Sequence, residues 1–453
     1  MNNKSNFKWY AFYVMAFAGL GGFLYGFDVG VISGAIVFMQ EELHLTERQL
    51  SFIVAAVLGG GSIATLISGP LADLIGRRIM IIFSSILFVA GIIVTMTACT
   101  FNAVMWGRLI QGVGVGIITI VMPLYIIETT PADLRGRSVT LFQLFLTTGI
   151  LISATSDIFF HTTGNWRGMF SVALIPGTIF FVGSLFLVKS PRWLFKKGNT
   201  QKAFEVLMKI VSKDEAEKSL KELTELERIE KSSEKLHLGA FFKKNYFLPF
   251  IIALFIAILN QLTGINALIQ FSTYIIKESG ISSVIVAMTG TAGIAFMNFI
   301  VTVIAFILID KWGRRPLILL GTSGTCISLV FLGIVSYFLE PSGVQGYLTI
   351  FGLISFICFF AIGPGVVVWL AVSEILPLKI RSITAAIALF ANSLSSAILA
   401  AIFLDLSKII GYAGNFWLCS FFTFIYFFIT YSMLPESKGK TLEEVEAYWQ
   451  KDI

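Results

Sequence analysis

"DLIGRR" occupies residues 73–78 and returns as "DKWGRR" at 310–315. The echo lies 237 residues on and extends further: Glu128 is followed seven residues on by Arg135, and Glu374 is likewise followed seven residues on by Arg381. Even "YGFD" at 25–28 lines up, within one residue of that offset, with "TGIN" at 263–266. Self-similarity over such a distance means that the chain is two copies of one unit. The unit is read from what lies between the motifs. A window of about twenty residues finds six apolar spans in each copy, near 11–38, 50–72, 79–99, 102–127, 138–159 and 168–188, then 247–276, 284–309, 316–338, 346–373, 382–407 and 413–434.

Composition agrees with lipid as the main solvent: 56% of the residues are hydrophobic, 13% are charged, and the mean hydropathy is +0.84. The expected class is an all-α integral membrane protein with twelve transmembrane helices in two pseudo-symmetric six-helix bundles. Expected boundaries are 1–189 for the first bundle, 190–246 for a cytoplasmic helical linker, 247–440 for the second bundle and 441–453 for a tail. The apolar run after Tyr10 is too long for a signal-peptide core and reads as a retained first helix.

The formal charge of +6 would suggest nucleic acid for a soluble chain. Here the cations sit in short loops. Arg77, Arg78, Arg135, Arg137, Lys311, Arg314, Arg315, Lys379 and Arg381 fall on one side, against Arg48, Arg167, Lys277 and Lys408 on the other. That asymmetry predicts both termini on the cytoplasmic side of a cell (inner) membrane and no nucleic-acid partner. Within the linker, "DEAEKSLKELTELERIEKSSEK" alternates acids and bases, and Leu207, Leu220, Leu223 and Leu226 recur at helical spacing. It reads as short amphipathic helices, either a solvated tether or a regulatory docking segment.

Cofactors and metals are not expected. Cys99, Cys326, Cys358 and Cys419 lie singly, and His44, His161 and His237 lack ligand spacing. "QGVGVG" at 111–116 lies within a span with no preceding strand, so its small residues read as helix packing rather than a dinucleotide loop. There is no Walker A pattern.

Ionisable and amide side chains inside the spans are the candidate chemistry. Asp28 lies in the middle of "GFLYGFDVGVISGA" at 22–35, where a lone carboxylate costs several kcal/mol unless it has a partner or a job. Arg108 lies in the fourth span, at a depth from which its long side chain reaches Asp28. A purely structural ion pair is the alternative. Gln143, Gln261, Asn266, Asn298, Trp369 and Asn392 are groups suited to sugars, because amides both donate and accept and an indole plane stacks on a ring face. For any one of them taken alone, helix-to-helix hydrogen bonding is the stronger explanation. Asp73, Arg77, Arg78, Glu128 and Arg135, with Asp310, Arg314, Arg315, Glu374 and Arg381, fall at helix ends where charge is tolerated.

Several motifs taken in order identify a resemblance. "GFLYGFDVGVISGA", "GRLIQGVGVG" at 107–116, "ETTPADLRGR" at 128–137, "SPRWL" at 190–194, "NQLTGIN" at 260–266, "DKWGRRPL", "GPGVVVW" at 363–369, "SEILPLKIRS" and "PESKGKTLEE" at 435–444 resemble the sugar porter branch of the major facilitator superfamily across essentially the whole chain. The resemblance implies the major facilitator fold and a monomeric secondary active transporter. Its substrate would be a monosaccharide or polyol, with protons as co-substrate and alternating access as mechanism. A facilitative uniporter and, more remotely, a transport-dead sugar receptor are the alternatives. It further implies that Asp28 and Arg108 couple to protons and that Gln143, Gln261, Asn266 and Trp369 contact sugar. The charged motifs would form ion pairs within and between bundles that hold the inner side closed.

The chain departs from the family pattern at several places. Lys189 replaces the acid of the usual "PESPR", which removes a carboxylate from the first cluster and makes the inward-open state easier to reach. Asn260, Ile150, Gln270, Phe271, Ser393 and the missing prolines of "GPGVVVW" re-dress the pocket, so the sugar itself is left open.

Overall fold

The computed structural model describes residues 3–130, 132–232, 244–377, 380–438 and Glu444. Among these, Arg135, Arg137, Leu226 and Asp310 are described in backbone only, and Lys379 and His237 lie outside the described residues.

The helices of the first half are α1 (Asn3–Leu43), α2 (Glu47–Ile75), α3 (Arg77–Met96), α4 (Phe101–Thr129), α5 (Ala132–Phe159), α6 (Trp166–Ser171) and α7 (Leu174–Ser184). Three short helices follow: α8 (Pro191–Lys196), α9 (Thr200–Ile210) and α10 (Lys213–Ser232). The second half holds α11 (Lys244–Leu262), α12 (Ile265–Gln270), α13 (Ser272–Glu278), α14 (Val284–Trp312), α15 (Arg314–Phe338), α16 (Gly343–Ile362), α17 (Pro364–Ile375) and α18 (Arg381–Met433). Eleven candidate membrane spans result, and the last, Ile383–Met433, has 51 residues. A straight helix of that length would run about 77 Å at 1.5 Å per residue, more than twice a hydrocarbon core of about 30 Å. It is broken at Gly411 (φ 71°, ψ 167°), so it is two spans and the total is twelve.

Glycine decides several junctions. Gly76 (φ 98°, ψ 150°) separates α2 from α3, and Gly313 (φ 95°, ψ 173°) separates α14 from α15. Both lie in a backbone region open essentially to glycine alone, which is the physical reason for the G of each "GRR". Along α1, Gly22, Gly26, Gly30 and Gly34 form a stripe at four-residue spacing that lies against Phe142, Leu146, Ser153 and Asp157 of α5. An added Cβ would meet α5 at 1.8 to 2.5 Å, so α1 and α5 approach backbone to backbone. In lipid, where apolar side chains gain little by leaving the solvent, such close contact is what holds two helices together.

The two halves meet where α2 packs on α18, α5 on α14, and α1 on α12 and α13. At the end of the molecule opposite the "GRR" motifs, three ion pairs cross between halves: Arg48 to Asp405 (3.6 Å), Lys408 to Glu47 (3.5 Å) and Lys277 to Glu41 (3.3 Å). The Leu404 amide also donates to Ser51 Oγ. At the motif end, every ion pair among the described residues stays within one half. The molecule is therefore latched by ion pairs at the end opposite the motifs. Off the bundle, Leu194, Phe195 and Ala203 form a small apolar cluster with Val206, Leu220 and Leu223, so the linker helices do carry an apolar face.

Candidate functional site

Asp28 and Arg108 are brought together by α1 and α4. Their side chains are 1% and 0% exposed, and Arg108 Nη1 donates to Asp28 Oδ1. The same nitrogen lies 3.2 Å from Gln111 Oε1, and the guanidinium stands 5.4 Å over the Phe170 ring. Asp28 Oδ2, Arg108 Nε and Arg108 Nη2 have no hydrogen-bond partner among the described residues. A buried pair left so incompletely satisfied is weak as a structural brace, because its desolvation is offset only when the remaining donors and acceptors are also met.

Between the halves lies a water-sized void lined by Gly30 and Ser33 of α1, Ile150 and Ala154 of α5, and groups of the second half that include Ile269, Ser272, Thr291 and Asn298. Asp28 is two residues from Gly30, so one helix carries both the acid and a wall of the cavity. The second half contributes an amide cluster. Gln261 Nε2 lies 3.2 Å from Asn392 Oδ1 and 3.3 Å from Asn260 Oδ1, and Asn266 Nδ2 donates to Gln261 Oε1 and to Ser396 Oγ, both at 2.8 Å. Asn392 Nδ2 in turn donates to the Ala257 carbonyl (2.8 Å). The cluster forms because α11 stops at Leu262 and Gly264, in a left-handed conformation (φ 88°, ψ 7°), turns the chain into α12. A parallel interruption at Gly363 and Pro364 divides α16 from α17, which carries Trp369. Discontinuous helices facing a cavity are the usual way in which transporters present polar groups at membrane depth.

Of the sequence candidates, Gln261, Asn266 and Asn392 thus belong to one network, and Asn298 lines the cavity. Among the described residues no hydrogen bond joins half-buried Gln143 or Trp369 to that network; Trp369 packs beside the apolar cluster around Val366 and Val372. Asn260, marked in the sequence as a departure that re-dresses the pocket, belongs to the network too, and Ser396, one helical turn after Asn392, is a member that sequence reasoning did not select. It also missed Asp157, a wholly buried acid in the fifth span. Asp157 stands in the last turn of that span, where a charge is tolerated, so depth alone does not flag it as it flagged Asp28.

At the motif end the two halves share several bonds. Arg77 lies 2.6 Å from Asp73 and 2.9 Å from Glu128, and Ser190 Oγ donates to Glu128. Arg314 lies 3.3 Å from Glu374, to which Ser437 Oγ donates. Arg78 donates to the Leu185 carbonyl (2.7 Å) as Arg315 does to that of Tyr431 (2.6 Å). Arg381 caps the Leu376 carbonyl. The Arg135 and Asp310 side chains lie outside the described residues. The caps of α15 and α3 differ. Glu436 accepts the backbone N–H groups of Arg314 (3.1 Å) and Arg315 (2.9 Å), capping α15. Its counterpart before Ser190 is Lys189, which lies 6.0 Å from the Trp193 ring. The α3 N-terminus therefore lacks the carboxylate that α15 has there.

The model of the sugar (and other) transporter family matches residues 14–449. The galactose-proton symporter of Escherichia coli (strain K12) is 31% identical over 446 residues, covering 98% of this chain and 95% of that protein. The arabinose-proton symporter of the same strain is 32% identical over 441 residues, covering 96% and 92%. Among solved structures, the inward open conformation of the xylose transporter XylE from E. coli superposes with a TM-score of 0.82 at 26% identity, covering 97% of this chain and all of that one.

Proposed function

The chain belongs to the sugar (and other) transporter family, and on that premise we propose that it imports a monosaccharide or polyol together with a proton by alternating access. The observation that carries this reading is the sealed, incompletely bonded pair of Asp28 and Arg108 one helical step from the cavity wall. Arginine does not deprotonate in proteins, so Asp28 is the proton carrier and Arg108 its tuner. Protonation of Asp28 removes the attraction between α1 and α4. Because α1 also packs on α12, which bears Asn266, the position of α1 links proton occupancy to the amide cluster.

In this reading Gln143, Gln261, Asn266, Asn298, Trp369 and Asn392 bind the sugar. Asp73, Arg77, Arg78, Glu128, Arg135, Asp310, Arg314, Arg315, Glu374 and Arg381 form the cytoplasmic gate. Residues 1–189 and 247–440 are the two bundles that rock about the site, with 190–246 and 441–453 in the cytoplasm. The motif end faces the cytoplasm across an inner membrane, following the loop cations, and the monomer is the working unit. Transport of this kind makes and breaks no covalent bond in the substrate. Likeness to the galactose-proton and arabinose-proton symporters supports the substrate class.

The test is Asp28→Asn in proteoliposomes. It should abolish accumulation driven by a pH gradient while sparing sugar binding and sugar-for-sugar counterflow. Full gradient-driven accumulation by the variant would refute proton symport through Asp28 and leave a facilitative uniporter.

A further inference from the structure

A second buried acid lies in the α1–α5 contact, on a different face of α1 from Asp28, which meets α4. Asp157 on α5 is 1% exposed, and the stripe of glycines on α1 makes room for it: a Cβ on Gly34 would come within 2.5 Å of its Oδ2. The Gly34 backbone reaches the carboxyl, and among the described residues no side chain hydrogen-bonds either oxygen. An ionised carboxylate buried without a side-chain donor or cation is so costly that such a group holds its proton. No charge stands ready to change this. Along α14, residues 284–309 contain no ionisable side chain, and α5 has no other between 140 and 159. On α4, Arg108 is engaged with Asp28; on α6, Arg167 is engaged with Glu42 and the Ala98 carbonyl. On α1, Glu41 pairs with Lys277, and Glu42 also accepts from Trp166. His161, one turn beyond Asp157, bonds through Nδ1 to the Ile158 carbonyl.

Asp157 is placed for a purpose that packing does not explain. Gly34 is six residues beyond Asp28, about 9 Å along α1 toward the latched end. Ser153 Oγ stands against Gly30, at a level along α1 between the two acids, and Ser33 and Ala154 border the void. We infer that Asp157 is an outer proton site in series with Asp28, loading the inner acid from the external solution. This inference rests on the proton-symport reading above. When the latched end opens, the Asp157 carboxyl gives its proton, through water admitted to the void, to the Asp28 carboxylate. Asp157 is left as a carboxylate and takes a replacement proton from external water. With the latch closed, as here, the reloaded proton is sealed in.

The test uses purified full-length protein in an ester-free maltoside detergent at neutral pH, with infrared detection of the carbonyl band of a protonated carboxylic acid. The parent should show this band, Asp157→Asn should lose it, and Asp28→Asn should keep it. In proteoliposomes, Asp157→Asn should retain counterflow, lose gradient-driven accumulation in part and shift its dependence on external pH, and Asp157→Glu should restore both. Persistence of the band in Asp157→Asn overturns the inference, as does an unchanged pH profile or a parallel loss of counterflow. Failure of both Asp157→Asn and the smaller Asp157→Ser to fold would assign a structural role and overturn it as well. A parent without gradient-driven accumulation would refute proton symport itself, whereas the infrared result would still decide whether Asp157 holds a proton.

Discussion

The ion pairs that cross the latched end should bias the equilibrium between inward- and outward-facing states, and their strength is calculable. Arg48 and Asp405 are 70% and 39% exposed, Lys408 and Glu47 56% and 28%, and Lys277 and Glu41 33% and 66%. Pairs so exposed contribute about 0.2 to 1 kcal/mol each. Removing one member of each, in Arg48→Gln, Lys408→Gln, Glu41→Gln, should therefore favour the outward-facing state by about 0.6 to 3 kcal/mol. At about 1.4 kcal/mol per factor of ten, that is a shift of roughly threefold to a hundredfold in population. Spin labels at exposed Thr162 and Val344, one in each half, in a Cys99→Ser background, would report it as a longer inter-label distance in pulsed dipolar spectra. The parent should move the same way at about 1 M salt, where the screening length falls to about 3 Å. The triple variant should then be nearly insensitive to salt. An unchanged distance distribution in both the variant and the salt series would show that α2 packing on α18, and not charge, holds this end closed.

Gln261→Ala removes an amide that serves Asn260, Asn266 and Asn392 at once, and it should weaken sugar binding by about 1 to 3 kcal/mol, roughly fivefold to a hundredfold, in calorimetric titration; parental affinity in a well-folded variant would remove the amide cluster from the site. Gly313→Ala forces a Cβ onto a backbone open only to glycine and to within 2.9 Å of the Glu436 carboxylate, so thermal unfolding in detergent should show a loss of about 1 to 3 kcal/mol, while Gly59→Ala, with open space around it, should not. A cysteine at Ser219 or Lys438 should react with an impermeant maleimide only after the cytoplasmic side is exposed; labelling from outside intact cells would reverse the orientation.

The linear sequence carried the architecture because the signals are local or repetitive. Twenty-residue apolar runs set the spans, and the recurrence of "GRR" set the two-unit plan, since in lipid a backbone has few ways to satisfy its own hydrogen bonds. The sequence also marked Asp28 and Arg108, because a charge at membrane depth stands out against apolar neighbours. Three things were decided only in three dimensions. Which amides share a network depends on the turn at Gly264 and on α18 lying across α11, and no spacing within either helix reports it. The role of the acid that Lys189 replaces became visible only when Glu436 was seen to cap the Arg314 and Arg315 amides. That no side chain partners Asp157 is a property of what surrounds it on α1, α4, α6 and α14, which the sequence of α5 does not contain. Nor does composition tell which end is latched: Arg48 and Asp405 are distant in sequence, and whether two such charges meet is settled by how the two halves tilt against each other.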